Sequence, residues 1–105
     1  MVLPTELNEK LEHFQLLDVR EADEWRAGRI DGSLHIPLAR LPSRVGELDR
    51  TKPVAAICRS GRRSGEAAVW LRGRGFEVVN LAGGLTAWLR SGLPLVGDEG
   101  SPRVA

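Results

Sequence analysis

The chain has 105 residues, of which 42% are hydrophobic and 28% charged, and its formal net charge is +1. This length predicts one domain that can bury a core by itself, and a single cysteine cannot form an intramolecular disulfide. The small net charge gives no basis for binding nucleic acid or a membrane surface, and no apolar stretch approaches the ~18 residues of a membrane-spanning helix. Residues 1–8 lack the basic start and apolar run of a signal peptide, so we expect a cytoplasmic protein.

The first half of the chain predicts short strands that alternate with helices. Apolar residues recur at helical spacing between residues 1 and 14, which predicts an amphipathic helix. A first parallel strand is expected at 15–19, a short helix at 21–27 that Gly28 ends, and a short strand at 33–36 that Pro37 stops. A further helical pattern covers residues 38–48, with Pro42 in its first turn.

The second half begins with a strand, a polar turn and a helix. Val54–Ile57 is a short apolar run suited to a strand buried on both faces. The turn 58–63 follows, and residues 64–74 predict a helix with Ser64 as its cap and Gly73 or Gly75 as its stop. Residues 77–81 predict another strand and residues 85–91 a closing helix. This alternation predicts an α/β fold with a parallel sheet covered by helices on both faces.

The last ten residues differ in composition from the rest of the chain. The segment 96–105 has few groups to bury, so we expect a mobile C-terminal tail after a single domain at residues 1–95.

The only cysteine, Cys58, lies where a strand ends and a helix is about to begin. Ligands of open α/β sheets bind outside the carboxyl ends of the strands, and a turn that enters a helix directs several backbone N–H groups toward one anion. Residues 58–75 contain five arginines and one glutamate, a local net charge of +4. These features favour the thiolate, the nucleophilic form of cysteine, over a buried structural thiol.

The segment from Cys58 to Ser64, CRSGRRS, resembles the active-site loop of rhodanese-type sulfurtransferases, whose pattern is C-x-x-G-x-R-S. Other segments resemble further motifs of that family in the same order, over roughly residues 5–95: LDVR with EW at 17–25, GRIDGS with IP at 28–37, and GGLTAW with GLP at 83–94. The resemblance implies a compact five-stranded parallel sheet with helices on both faces. One departure is Arg29, because family members commonly carry a histidine there.

The resemblance and the local charge together indicate which residues form the site. We expect Cys58 to be catalytic, and we expect structural roles beside the site for Asp18, Arg20, Gly83 and Gly84. Asp18 is interpreted as a structural ion-pair or hydrogen-bond partner, since a carboxylate near a bound anion would repel it. Arg63 is the main candidate for shaping the loop, and no role is predicted for Gly65. The substrate-binding residues are expected to be Arg59, Ser60, Gly61, Arg62, Arg63 and Ser64, with Arg59 and Arg62 facing the donor and solvent.

The resemblance implies a thiosulfate sulfurtransferase without a cofactor. Its partners would be a small anionic sulfur donor, such as thiosulfate or a persulfide, and an acceptor that is cyanide, a thiol or a protein. Sulfur would pass through a persulfide on Cys58, which predicts ping-pong kinetics. His13 and His35 lack clustered ligands, so no metal site is expected.

Two alternatives remain open. The chain could be a sulfur-relay or regulatory binding module with little activity toward thiosulfate. It could also be a small phosphatase or arsenate reductase, since cysteine-based phosphatases carry a C-x5-R loop. That pattern needs an arginine six positions after the cysteine, where this chain has Ser64, whereas Arg63 falls at five. The ring of amides is then one residue smaller and suits phosphate less well.

Overall fold

The computed structural model describes all residues from 1 to 105. Its helices are α1 (Pro4–Glu9), α2 (Ala22–Ala27), α3 (Leu41–Arg44), α4 (Arg62–Arg72) and α5 (Gly84–Arg90). Its strands are β1 (Gln15–Asp18), β2 (Leu34–His35), β3 (Val54–Ile57) and β4 (Val78–Asn80). Short 3-10 helices at Leu11–His13, Leu38–Arg40 and Val45–Glu47 replace parts of the longer helices expected at 1–14 and 38–48.

The sheet has four parallel strands in the order β2-β1-β3-β4. The expectation of five strands is therefore wrong. The place beyond β4 is held by Val2 alone, which forms an isolated parallel bridge with Leu81. Val2 accepts a hydrogen bond from the Ala82 N–H and donates one to the Asn80 carbonyl, each at 2.9 Å. Pro4 begins α1 two residues later, so the pairing stops after one residue.

The central strand β3 separates two apolar clusters. Because successive strand residues point to opposite faces, Val54 and Ala56 face the side covered by α4, while Ala55 and Ile57 face α5. All four residues are fully buried, as the apolar run predicts for a strand covered on both faces. This packing holds the carboxyl end of β3, and Cys58 after it, between the first turns of α4 and α5.

The C-terminal segment predicted to be mobile contacts the turn after α2. Val96 pairs with Arg29 through two backbone hydrogen bonds of 2.8 Å, and the Arg29 guanidinium forms an ion pair of 2.8 Å with Asp98. Val104 packs against the apolar cluster on the α5 side. These contacts are made largely by backbone groups, which composition does not reveal, and the mobility of residues 96–105 stays a prediction.

No helix in the structure combines the length and the apolar character needed to cross a membrane.

Candidate active site

The turn after β3 depends on a left-handed glycine. Gly61 has φ of +102°, a conformation that side chains disfavour, and it is the residue from which α4 begins at Arg62. Ser64 therefore lies inside the first turn of α4, and its predicted role as the helix cap is wrong. The early start of the helix turns the Ser64 hydroxyl back toward the end of β3.

The sulfur of Cys58 is enclosed by hydrogen-bond donors. Cys58 is only 1% exposed, and its Sγ lies 3.1 Å from the Gly61 amide nitrogen and 3.2 Å from the Ser64 Oγ. Burial raises the pKa of this thiol, but the Ser64 hydroxyl and the N–H groups of Ser64, Gly61 and Ser60 together bring the pKa below its usual value. The site therefore favours the nucleophilic thiolate.

The start of α5 holds the other side of the loop. The N–H groups of Leu85 and Thr86 donate to the carbonyls of Cys58 at 2.9 Å and Arg59 at 3.0 Å. Gly84 has φ of +60°, and a Cβ there would lie only 2.4 Å from the Arg59 carbonyl oxygen. Gly83 also has positive φ, at +72°. Gly84 thus lets α5 approach the loop backbone closely, whereas a Cβ at Gly83 would meet the Ala87 side chain within α5.

The three loop arginines differ in their partners. Arg63 binds the Glu24 carboxylate through two hydrogen bonds of 2.7 and 2.9 Å, which ties the loop to α2. This pairing lowers the pKa of Glu24 to about 2. Arg59 and Arg62 are exposed, and neither forms an ion pair. They are the loop cations that remain available to an anionic ligand, because the charge of Arg63 is already balanced.

Asp18 and Arg20 form an ion pair with no exposed side-chain surface at the end of β1. Arg20 Nη2 lies 2.8 Å from Asp18 Oδ2 and also donates to the Gly28 carbonyl at 2.6 Å. Arg20 Nη1 donates to the Glu24 carbonyl at 3.2 Å. Arg20 thus ties the end of β1 to the backbone of α2 at Glu24, whose side chain binds Arg63, and to Gly28 after the helix.

Asn80 was not identified by the sequence reasoning, yet it lies between the loop and α4. Its Nδ2 donates to the Gly61 carbonyl at 2.9 Å, and its Oδ1 accepts from the Ser64 hydroxyl at 2.5 Å. A Cβ on Gly65 would lie 3.4 Å from Asn80 Nδ2, so the glycine leaves room for this amide. Its place in the sequence could have indicated this role. Asn80 is the last residue of β4, the strand next to β3, and parallel strands of a sheet end at the same edge.

The histidines and the surface depressions lie outside this loop. His35 Nε2 lies 2.7 Å from the Arg20 carbonyl oxygen, and its ring stacks on Trp25. His13 packs edge-on against Phe14. No group of three or more His, Cys, Asp or Glu side chains is placed to hold a metal ion. Neither surface depression is lined by Cys58 or by any other residue of the loop.

Comparison with known proteins identifies the family of the chain. Residues 3–91 match the rhodanese-like domain family. A sulfurtransferase of Allochromatium vinosum is 41% identical over 86 residues, covering 81% of this chain and 80% of that protein. The thiosulfate sulfurtransferase GlpE of Shewanella oneidensis is 33% identical over 75 residues, covering 70% and 74%. The crystal structure of a rhodanese-related protein from Thermoplasma volcanium has a TM-score of 0.89 at 35% identity, covering 93% of this chain and 97% of that one. The chain belongs to the rhodanese-like domain family.

Proposed function

We propose that this protein transfers sulfane sulfur and carries it as a persulfide on Cys58. The observation that supports this most directly is the environment of the sulfur. Cys58 Sγ is buried against the Gly61 N–H and the Ser64 hydroxyl, and no acidic side chain forms a hydrogen bond with it. Such an environment stabilises a negative charge on the sulfur, and the thiolate is the form that attacks a donor.

The first half-reaction loads the cysteine. The thiolate attacks the outer sulfur of an anionic donor, the S–S bond of the donor breaks, and its electron pair leaves with the departing group. With thiosulfate the departing group is sulfite, and Cys58 keeps one added sulfur that bears the negative charge. We expect the N–H groups of the same loop to stabilise the charge on the added sulfur.

The access route favours a narrow donor. Because Cys58 is 1% exposed, only a projecting sulfur atom can enter the loop, while the rest of the donor stays outside. The exposed guanidinium groups of Arg59 and Arg62 then attract the anionic part. The printed name of the Shewanella oneidensis relative supports thiosulfate as one such donor.

The second half-reaction unloads the cysteine. A thiolate, cyanide or a protein thiol attacks the terminal sulfur, and Cys58 leaves as the thiolate that the loop stabilises. Residues 1–105 contain no second cysteine that could accept the sulfur, so the acceptor we propose lies outside these residues. The two half-reactions predict parallel lines in double-reciprocal plots, and intersecting lines would contradict the scheme.

The test is the intact mass of the reductant-free protein before and after thiosulfate. We expect a gain of one sulfur atom that cyanide removes, and no gain in Cys58→Ser. Two variants test the donor site and a third is the control. Arg59→Ala and Arg62→Ala should weaken thiosulfate binding, and Arg90→Ala should not. Arg90 is also exposed but lies in the last turn of α5, away from the loop.

A failure of loading would separate the alternatives. Sulfur gained only from a protein persulfide would indicate a relay module, in which Cys58 accepts sulfur from one protein and passes it to another. Hydrolysis of aryl phosphates with no sulfur gain from any donor would indicate phosphatase chemistry and would overturn the proposal.

A further inference from the structure

The side-chain amide of Asn80 has only one orientation that satisfies its neighbours. Its first partner is the Gly61 carbonyl at 2.9 Å, which can only accept a hydrogen bond. The amide nitrogen must therefore face Gly61, because the reverse orientation would place two acceptor oxygens against each other. The amide oxygen then faces the Ser64 Oγ at 2.5 Å.

This orientation determines where the hydroxyl hydrogen of Ser64 goes. An amide oxygen cannot donate, so the short contact with Asn80 requires the Ser64 hydroxyl to donate to it. A serine hydroxyl has one hydrogen, yet Ser64 Oγ also lies 3.2 Å from Cys58 Sγ. With a neutral thiol, the Cys58 S–H donates to Ser64, which in turn donates to Asn80. When Cys58 is a thiolate, its sulfur is stabilised by a hydrogen bond from the Ser64 hydroxyl, which Ser64 can form only by giving up its hydrogen bond to Asn80.

We propose that Asn80 is a positioning residue that competes with the Cys58 sulfur for the Ser64 hydroxyl hydrogen. The Ser64 hydroxyl donates its hydrogen bond to Asn80 while the Cys58 sulfur is neutral, and it donates to the sulfur when the sulfur is anionic. Ser64 has no exposed surface, so water cannot readily supply a replacement donor to either group.

The competition gives Asn80 a role in the transfer cycle, and this part of the inference rests on the proposed function. In that cycle Cys58 Sγ alternates between a thiolate and the neutral inner sulfur of a persulfide. Asn80 stabilises the loaded state, in which Ser64 donates to the amide, relative to the free thiolate. Removal of the amide should therefore lower the pKa of Cys58 and make this sulfur a better leaving group toward the acceptor.

The charged groups around the sulfur do not change in this comparison. The first turn of α5 and the strand β4 contribute no ionisable side chain at the site. The charged side chains come from the loop, the start of α4, α2 and the end of β1, and they are Arg59, Arg62, Arg63, Glu24, Asp18 and Arg20. A shift in the pKa of Cys58 on Asn80→Ala or Ser64→Ala is thus not caused by the gain or loss of a charged side chain.

The test is a double-mutant cycle on the thiolate of Cys58, measured as the pH midpoint of its alkylation by iodoacetamide. Cys58 is the only thiol in the chain, so the signal belongs to one residue. We expect Asn80→Ala to lower the midpoint by on the order of 0.5–1 pH unit, because Ser64 is then free to donate to the sulfur. In the Ser64→Ala background the same change should have no such effect.

A purely structural role for Asn80 predicts the opposite sign. Loss of the Gly61 contact would loosen the loop and raise the midpoint, so a rise, no change, or an equal fall in both backgrounds would overturn the proposal.

Two further variants serve as controls. Asn80→Asp adds a stronger, charged acceptor and should raise the midpoint. Asn8→Ala, at an exposed position in α1, should leave it unchanged. Thermal melting checks that each variant is folded. The midpoint needs no sulfur donor, so failure of this inference and failure of sulfur transfer are separate results.

Discussion

The ends of the neighbouring strands β1 and β3 each bury a group that can carry charge, but they treat it differently. At the end of β1, Asp18 and Arg20 neutralise each other and the remaining guanidinium donors bind backbone carbonyls. At the end of β3, the Cys58 sulfur has donors around it but no directly bonded counter-ion. A buried charge that is fully paired maintains the fold, whereas a buried nucleophile surrounded by donors can gain and lose charge during a reaction.

The largest effect is expected from breaking the paired region. Asp18→Asn leaves the Arg20 guanidinium buried without its counter-ion, and we expect a loss of about 3–5 kcal/mol in the free energy of unfolding. Chemical denaturation measures this loss. The matched control is Glu47→Gln, which breaks the exposed Arg44–Glu47 pair and should produce no measurable change. Equal stability of the two variants would show that the β1 pair is not a structural element.

An intermediate effect is expected where α5 supports the Cys58 loop. Gly84→Ala places a methyl group 2.4 Å from the Arg59 carbonyl oxygen and strains a positive φ. We expect a loss of about 2–4 kcal/mol, with slower alkylation of Cys58 because the loop must shift. Gly92→Ala is the matched control, since Gly92 has φ of +75° but no atom within 4 Å of the added methyl. Gly92→Ala should lower the free energy of unfolding by only the conformational cost of about 1–2 kcal/mol, and it should leave the alkylation rate of Cys58 unchanged.

The smallest effect is expected at Glu24, which links the two regions. Arg63 lowers the pKa of Glu24 to about 2, below its ordinary value of 4.5, so this carboxylate stabilises the fold above pH 4.5. The contribution is lost as the pH falls from 4.5 through about 2. Glu24→Gln should therefore cost about 1 kcal/mol at pH 7, a value reduced by the partial exposure of Arg63, and less at low pH.

The check for this prediction is urea denaturation of both proteins across that pH range. Glu12→Gln, an exposed position without an ion pair, should follow the wild type throughout. A difference for Glu24→Gln that grows as the pH falls would contradict the prediction.

The sequence predicted the buried strand and its cysteine well, because these signals are local. Pro53 and the polar turn bound the apolar run, and the strand occupies Val54–Ile57 as expected. The α2 segment was also predictable, since its helix runs from Ala22 to Ala27 and ends before Gly28. Where residues adjacent in the sequence determine the conformation, composition and spacing were sufficient to predict the element.

The errors concern contacts between distant segments. The fifth strand was expected by resemblance, but here the edge position is a one-residue bridge at Val2. Ser64 has the composition of a helix cap, yet the left-handed Gly61 starts α4 earlier. Asn80 gave no local signal because its role arises from two residues that precede it by 19 and 16 positions. Such pairings depend on the register of strands and helices, which a single sequence does not specify.

The approach of α5 to the loop means that residues 58–64 alone do not determine the geometry of the loop. The N–H groups of Leu85 and Thr86 draw the carbonyls of Cys58 and Arg59 to one side, so the peptide dipoles of the loop are oriented by a helix more than twenty residues away in the chain. A homologue could keep every residue from 58 to 64 and still lose this orientation through a single methyl group at position 84. Conservation of the loop geometry should therefore be judged from the loop sequence together with the glycine at position 84.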